Sequence, residues 1–271
     1  MATQYKNLFV DERYSAKLEP NLFLDSVLVP QSTYSTRWQG DASAGLVKIH
    51  KLTRGSVTAG NAGTDFSHVD VANTVLNLPL DKNFKKSYKI YGVQSAAVQF
   101  DTGLEFLNLA LREVKEGWNG EGVGQLVDGG KDLEVYTAVT DVHAEMVNTR
   151  KVLRDEGARP NTIMAGTGFY AKMLKDDNFI KASQLGDRIQ ETGAVGQYLG
   201  MLVYESNNMP ETVEYVMYDS DAFAIATNFE AVRIVDAIDF VGSLAQVEIN
   251  SGYLVTNPER VAVRLNTDPA A

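Results

Sequence analysis

The sequence has no cysteine among its 271 residues, which excludes disulfide bonds, thiolate metal sites and cysteine nucleophiles together. Histidine is also scarce: only His50, His68 and His143 are present, and their spacing matches no metal-binding motif. No continuous apolar run approaches the roughly 18 residues that a membrane-spanning helix needs. We therefore expect neither a bound metal nor a transmembrane helix.

Positive charge is in the minority, since 25 Lys and Arg stand against 35 Asp and Glu and give a formal net charge of -10. Sequence-independent binding to DNA or RNA draws its affinity from many neutralised phosphates, so this balance argues against a nucleic-acid reader. The acidity fits either ordinary solubility or a container whose lining should not adhere to polyanionic contents. With 44% hydrophobic residues, the chain can build a core for one large domain or two small ones.

Two segments alternate apolar and polar residues with the period of a β-strand. Residues 46–52 and 76–80 place apolar side chains at every second position. The glycine-rich stretch 55–64 between them has little to pack. This pattern predicts a long two-stranded hairpin with a mobile tip.

The predicted hairpin needs a partner, because two strands alone bury too little apolar surface to be stable in water. The partner is either the core of the same chain or a neighbouring subunit. The glycine-rich tip and the nearby Lys82, Lys85 and Lys86 favour the neighbour. Our hypothesis is that the ribbon between Arg37 and Tyr91 covers its apolar faces only on sister molecules.

A helix is predicted after the hairpin, where Thr102 and Glu105 have the spacing of a capping box. Apolar residues then recur at helical spacing at Leu104, Leu107, Leu111 and Val114. Glycines interrupt this pattern at Gly117, Gly120, Gly122 and Gly124, so we expect the helix to end early.

Shorter elements fill the rest of the chain. Helices are predicted over residues 139–156 and 168–175. Short strands are predicted over residues 162–165, 201–204, 214–217, 223–226, 231–235, 245–249, 253–255 and 261–265.

Two short motifs could carry chemistry. Gly166, Gly168 and Ala171 form G-x-G-x-x-A after a predicted strand, which is the pattern of a dinucleotide-binding turn. That turn needs a βαβ unit, yet the polar segment 176–190 predicts no second parallel strand at the proper distance, so a simple helix start is favoured. Asp219 and Asp221 could share a cation, but capping a turn is the favoured interpretation. We assign no catalytic residue, cofactor or metal.

The most specific motif is GAVGQYLGMLVYESNNMP, residues 193–210. A loop or short helix of small residues leads into a strand, which Asn207, Asn208 and Pro210 terminate. The segment meets every position of the pattern G-x-(I/V)-G-x-x-x-G-x-x-V-x-x-S-x-x-(L/M)-P, at Gly193, Val195, Gly196, Gly200, Val203, Ser206, Met209 and Pro210. It resembles the core of the tailed-phage major capsid proteins, whose fold is named for the Hong Kong 97 phage.

This resemblance implies an α+β fold with an N-terminal arm, an extended hairpin loop, a spine helix, a peripheral domain and an axial domain. The implied segments are the arm 1–36, the extended loop hairpin 37–93, the spine helix and start of the peripheral domain 94–128, the axial domain 129–227, the returning strands of the peripheral domain 228–256, and the C-terminal strand and tail 257–271.

The function implied is a structural subunit of an icosahedral phage capsid rather than an enzyme. Many copies would form pentamers and hexamers, enclose double-stranded DNA without sequence-specific contacts, and work with a portal. No long charged extension precedes the arm, so we expect a separate scaffolding protein or an extension that has been removed. The subunit would assemble in the host cytoplasm and reside in the virion. The alternatives are an encapsulin-like compartment shell and, less favoured, a nucleotide-binding enzyme.

Candidates for contacts between subunits are Arg37, Lys48, Arg54, Phe66, Lys82, Lys85 and Lys86. Some members of the resembled family also join a lysine to an asparagine covalently between subunits. Lysines near the predicted hairpin and asparagines in the returning strands are too common to support that reaction here, and we assign no crosslink.

Overall fold

The computed structural model describes residues 28, 33–38, 45–52, 70, 72–92, 102–137, 139–176, 180–181 and 196–266. These residues divide into two units. Residues 84–92, 102–117 and 230–249 form the first unit, and the other described residues form the second. The six segments named from the sequence do not coincide with these two units, and their names stay predictions.

Three long strands form one sheet. Strands β3 (Lys82–Tyr91), β10 (Phe223–Asp236) and β11 (Gly242–Val255) lie in the order β10-β11-β3. The sequence predicts four short strands in residues 223–255, whereas β10 and β11 each continue for 14 residues. Polar residues in the middle of these two segments favour turns in the sequence analysis. In the structure the side-chain amide of Asn250 donates to Oδ1 of Asn228 at 2.7 Å, so these polar side chains pair with each other within the sheet.

Helix α1 (Thr102–Gly129) is 28 residues long, so the predicted early end is wrong. The helix continues through all four interrupting glycines because contacts along it offset their low helix propensity, about 1 kcal/mol each. A Cβ atom at Gly122 would lie 2.5 Å from Cδ1 of Leu28 and 2.9 Å from Cε1 of Tyr253. A side chain at this position would displace Leu28 and Tyr253, so glycine permits this close packing. None of the helices in the described ranges is long and apolar enough to cross a bilayer.

The second unit contains a seven-stranded sheet. Its strands are β4 (Lys131–Asp132), β5 (Thr162–Gly166), β6 (Ile180–Lys181), β7 (Gly196–Tyr198), β8 (Met201–Ser206), β9 (Val213–Tyr218) and β12 (Val261–Leu265). The order is β4-β12-β9-β5-β8-β7-β6, with β5 parallel to β8 and β12 parallel to β4. The other neighbouring pairs are antiparallel.

Residues 196–206 of the capsid-like motif form a β-hairpin rather than the predicted loop or short helix before a strand, and residues 193–195 lie outside the described residues. Strands β7 and β8 pair with Tyr198 opposite Met201, which leaves only Leu199 and Gly200 in the turn. Both turn residues have positive φ, 48° and 80°, as a two-residue hairpin turn requires. Gly200 meets this requirement without strain because it has no Cβ.

Two helices complete the core of this unit. Helix α2 (Val142–Asp155) begins after Asp141, whose Oδ1 accepts the N–H of Ala144 at 3.0 Å. Met146 of α2 and Phe169 of α3 (Thr167–Met173) belong to one buried cluster with residues of the sheet. Burying these apolar side chains supplies the main stabilisation of the fold.

Arg264 of β12 is a charged residue inside this unit, and only 1% of its side chain is exposed. Its guanidinium donates to Oε1 of Glu145 at 2.7 Å and to the carbonyl oxygens of Thr137 and Leu265 at 2.5 Å each. Glu145 also accepts a long hydrogen bond of 3.5 Å from the hydroxyl of Tyr215. Arg264 thus connects α2, β12 and the segment before α2.

We expect Glu145→Ala to lower the free energy of unfolding by about 3–5 kcal/mol, because it leaves the buried guanidinium of Arg264 without its counter-charge. Urea unfolding of the unassembled subunit measures this change. Glu156→Ala is the control: Glu156 pairs with Lys131 at 3.4 Å on the surface, and its loss should cost less than about 1 kcal/mol. Equal costs for the two variants would contradict the role given to Arg264.

Candidate assembly surface

The predicted hairpin is present. Strands β1 (Leu46–Leu52) and β2 (Asn73–Pro79) pair antiparallel along their full lengths. Val47 lies opposite Leu78, and Ile49 lies opposite Leu76. Because side chains alternate between the faces of a strand, these four residues share one face. The predicted tip, with Arg54 and Phe66, lies outside the described residues.

This apolar inner face is covered by the chain's own residues. Val47, Ile49, Leu78 and Leu80 are at most 6% exposed and cluster with Ala226 of β10. Trp38 and Leu254 complete the cluster at its edge. The hypothesis that the ribbon finds cover only on sister molecules is therefore wrong for the base of the hairpin, the described strands β1 and β2, because Ala226 of β10 and Leu254 of β11 cover it.

Polar contacts also fix the base of the hairpin. Arg37 Nη2 lies 3.2 Å from Oδ2 of Asp221, and Lys51 Nζ donates to Oδ1 of Asn257. The side-chain amide of Asn250 donates to the carbonyl oxygen of Leu80 at 3.3 Å. The Arg37 pair is largely exposed and contributes little energy, so its effect is to orient the segment before β1.

The outer face of the hairpin is exposed. It carries Leu46, Lys48, His50 and Leu52 on β1, with Val75 opposite His50 on β2. Leu52 is 68% exposed, Val75 44% and Leu46 41%. No layer of the described residues covers this mixed apolar and polar face. Burying the apolar part of this face against another molecule would lower the free energy.

The three lysines after the hairpin belong to a different sheet. Lys82, Lys85 and Lys86 lie in β3, so this part of segment 37–93 is outside the hairpin. Lys82 pairs with Glu121 at 2.7 Å, and Lys86 pairs with Glu113 at 3.0 Å, both on α1. These intrachain ion pairs join residues far apart in sequence, which sequence spacing could not have indicated.

The hydrogen bond from Lys82 stabilises the carboxylate of Glu121 and lowers the pKa of that carboxyl below its usual value. The same hydrogen bond raises the pKa of the Lys82 ammonium. Both side chains are about a third exposed, so solvent screening keeps the stabilisation small.

The G-x-G-x-x-A motif occupies the end of β5 and the start of α3. A parallel strand, β8, lies adjacent to β5, but it begins only at Met201, beyond the distance expected of a dinucleotide-binding βαβ unit. The polar residues between β5 and β8 show no periodic pattern, so no signal in the sequence indicated that these two strands pair. The neighbouring cavity contains Glu211 and Glu214 as well as Lys172, and Lys172 already pairs with Glu214 at 2.7 Å. Two glutamates against one lysine make this cavity acidic, which disfavours binding of the anionic pyrophosphate of a dinucleotide.

The other candidate groups have local structural partners. Oδ1 of Asp219 accepts the N–H of Asp221 in the turn before β10, which confirms the turn interpretation. His143 Nδ1 lies 3.1 Å from the hydroxyl of Tyr198, and His50 Nδ1 lies 2.9 Å from the amide of Asn73. His68 lies outside the described residues.

No protein-family model matches this sequence, and no curated protein is similar to it. Solved structures do match over nearly the whole chain. A structure from Mycobacterium phage Che8 has 18% identity and a TM-score of 0.73, covering 94% of this chain and 97% of that one. The capsid of the Cyanophage P-SCSP1u has 12% identity and a TM-score of 0.71, covering 98% and 95%.

A third match is the capsid of a native GTA particle, with 12% identity, a TM-score of 0.70 and coverage of 98% of both chains. At these identities the likeness establishes the fold. The chain has the α+β capsid fold of the Hong Kong 97 type, as the motif in residues 193–210 predicted.

Leu78→Ala should lower the free energy of unfolding of the unassembled subunit by about 2–5 kcal/mol, because Leu78 is fully buried at the hairpin base. Leu52→Ala is the matched control on the exposed outer face and should change it by less than about 0.5 kcal/mol. Thermal and urea unfolding measure both. A harmless Leu78→Ala would mean that the hairpin base does not pack in the isolated subunit.

Lys82→Met should cost about 0.5 kcal/mol of unfolding free energy at about pH 7 and less than that at about pH 3. The pKa of the Glu121 carboxyl is lower in the folded state than in the unfolded state. Its ionised form therefore stabilises the fold at pH values above the unfolded pKa, and this stabilisation is lost as the pH falls through the folded pKa. Urea unfolding at both pH values measures the difference. Lys115→Met, which removes an exposed lysine of α1, should show no such pH dependence; the same dependence in both variants would refute the assignment.

Proposed function

We propose that this chain is the major capsid protein of a tailed phage, a structural subunit that self-assembles into pentamers and hexamers enclosing double-stranded DNA. The observation that carries the proposal is a shared fold over 94–98% of this chain, with neighbours that include capsids of a phage and of a GTA particle.

The hairpin supplies a mechanism for association. Its base is fixed to its own subunit by buried leucines, while its outer face offers Leu52, Val75 and Lys48 to another molecule. We propose Lys48, with Arg54 and Phe66 at the tip, as contact residues of this kind. Arg37 positions the hairpin base, and Lys82 and Lys86 stabilise the subunit through their intrachain pairs.

The acidic composition fits the proposed contents. A formal net charge of -10 disfavours tight adhesion of the shell to DNA, which therefore needs no specific site on this chain. Contacts between different patches of identical subunits form rings when the rotation closes. Pentameric and hexameric rings of this kind, assembled with a scaffolding protein and a portal in the host cytoplasm, would give the virion shell.

Electron microscopy of the purified full-length chain tests the proposal. Closed particles or capsomers are the expected result, and nucleic acid should be recovered inside particles purified from infected cells. Particles that hold protein cargo and no nucleic acid would instead favour an encapsulin-like compartment. A small discrete oligomer that binds a nucleotide would overturn the shell function.

Deletion of residues 54–66 should give a folded, soluble subunit or capsomer that forms no closed particles, because the hairpin then loses its reach. Circular dichroism checks the fold, and electron microscopy counts the particles. The matched control replaces the same residues with a Gly/Ser linker of equal length, which keeps the reach but removes Arg54 and Phe66. Normal particles from the deletion variant would contradict the role of the hairpin.

A further inference from the structure

The turn between β10 and β11, residues 237–241, presents apolar side chains directly to solvent. Ile238 is 99% exposed and Val241 is 88% exposed, the highest values among the large apolar residues described. Asp236 and Asp239, both exposed, flank Ile238. Fully exposed aliphatic side chains at a turn gain nothing from burial within their own chain and are available for burial against another molecule.

The backbone of this turn is held in place. The N–H of Ala237 donates to the carbonyl oxygen of Gly242 at 2.9 Å, and the N–H of Gly92 donates to that of Val241 at 3.1 Å. The ring of Phe240 packs on Tyr91 with centroids 4.9 Å apart. A turn fixed by these contacts loses little conformational entropy when it binds.

A basic cavity of about 380 Å³ lies on the sheet of the same unit. Lys85, Lys86 and Arg233 line it, together with Ser87, Ala231, Gln246, Val247 and Glu248. Arg233 Nε donates to Oε1 of Gln246 at 3.1 Å, which orients the guanidinium. Lys85 has no ion pair within the described part of the chain.

The face of the sheet that bears the cavity follows from strand alternation. Lys86 and Tyr88 contact Glu113 of α1. Lys85 and Ser87 alternate with them along β3 and therefore lie on the face away from α1. The exposed side chains of Lys85 and Ser87 are therefore accessible to an incoming molecule, whereas Lys86 is engaged by Glu113 of that helix.

We propose that the 237–241 turn of one copy docks into this cavity of a second copy, with Ile238 entering the cavity and Asp236 and Asp239 pairing with Lys85 and Arg233. The acidic turn and the basic cavity are complementary in charge, and every copy of the chain presents both. The contact is intermolecular because residue 237 follows Arg233 by four positions of extended strand, roughly 13 Å, so the turn cannot reach its own cavity. The inference rests on the proposed shell function and specifies one of its contacts.

Charge reversal tests the contact in the full-length chain. Arg233→Glu and Asp239→Arg should each weaken association by about tenfold or more, and the double variant should recover most of the loss because it restores opposite charges. Ile238→Ser should also weaken association by about tenfold or more, without changing the melting temperature of the subunit. Light scattering and sedimentation velocity measure association, and Lys151→Glu on α2 is the matched control for a surface charge reversal.

The outcomes separate this contact from the proposed function. If the wild-type chain assembles and both single variants assemble equally well, the contact is refuted and the shell function stands. If both single variants fail and the double variant fails equally, the pairing of turn and cavity is refuted. A wild-type chain that stays monomeric and forms no particle contradicts the shell function itself, and the contact with it.

Discussion

A two-stranded hairpin gains stability only where another layer covers it, and the hairpin formed by β1 and β2 is covered on one face. Leu78 is fully buried against the chain's own returning strands, whereas Leu52 on the opposite face is 68% exposed. Under the proposed function, this asymmetry would let the chain fold alone and still retain surface for association. A hairpin without its covered base would be unstable, and one covered on both faces would have nothing left to bind.

The close approach at the hairpin base shows how strongly its position is specified. A Cβ atom at residue 252 would collide with the carbonyl oxygen of Pro79, so Gly252 of β11 is needed where this strand passes the end of β2. Asn250, two residues earlier, donates to the carbonyl oxygen of Leu80. Strand β11 therefore fits against the hairpin at Gly252, which has no side chain, and binds it through the side-chain amide of Asn250.

Sequence reasoning succeeded where the determining interactions are local. The alternation in residues 46–52 predicted β1, and the glycine spacing in residues 193–210 identified the capsid-like fold. It failed where distant residues decide the structure. Helix α1 continues through Gly122 because Leu28 and Tyr253 pack against it, and β8 pairs with β5 across a polar segment that shows no periodic pattern.

The candidate contact residues follow the same division. Alternation along β1 correctly places Lys48 on the exposed face, because strand geometry is set by neighbours in sequence. The pairing of Lys82 with Glu121 connects a strand to a helix 39 positions later, and no spacing rule relates them. Arg264 was overlooked for a similar reason, since a buried arginine in an apolar strand is explained only by Glu145 on a separate helix.

The distribution of exposed apolar residues is compatible with the proposed shell function. Leu52 on the hairpin and Ile238 on the β10–β11 turn are separated in sequence and flanked by charged residues. Each can contribute only a modest free energy when buried, because one aliphatic side chain is worth roughly 1.5–3 kcal/mol. When several contacts form at once their energies combine, so a closed shell can be stable although each contact is weak enough to break and re-form during assembly.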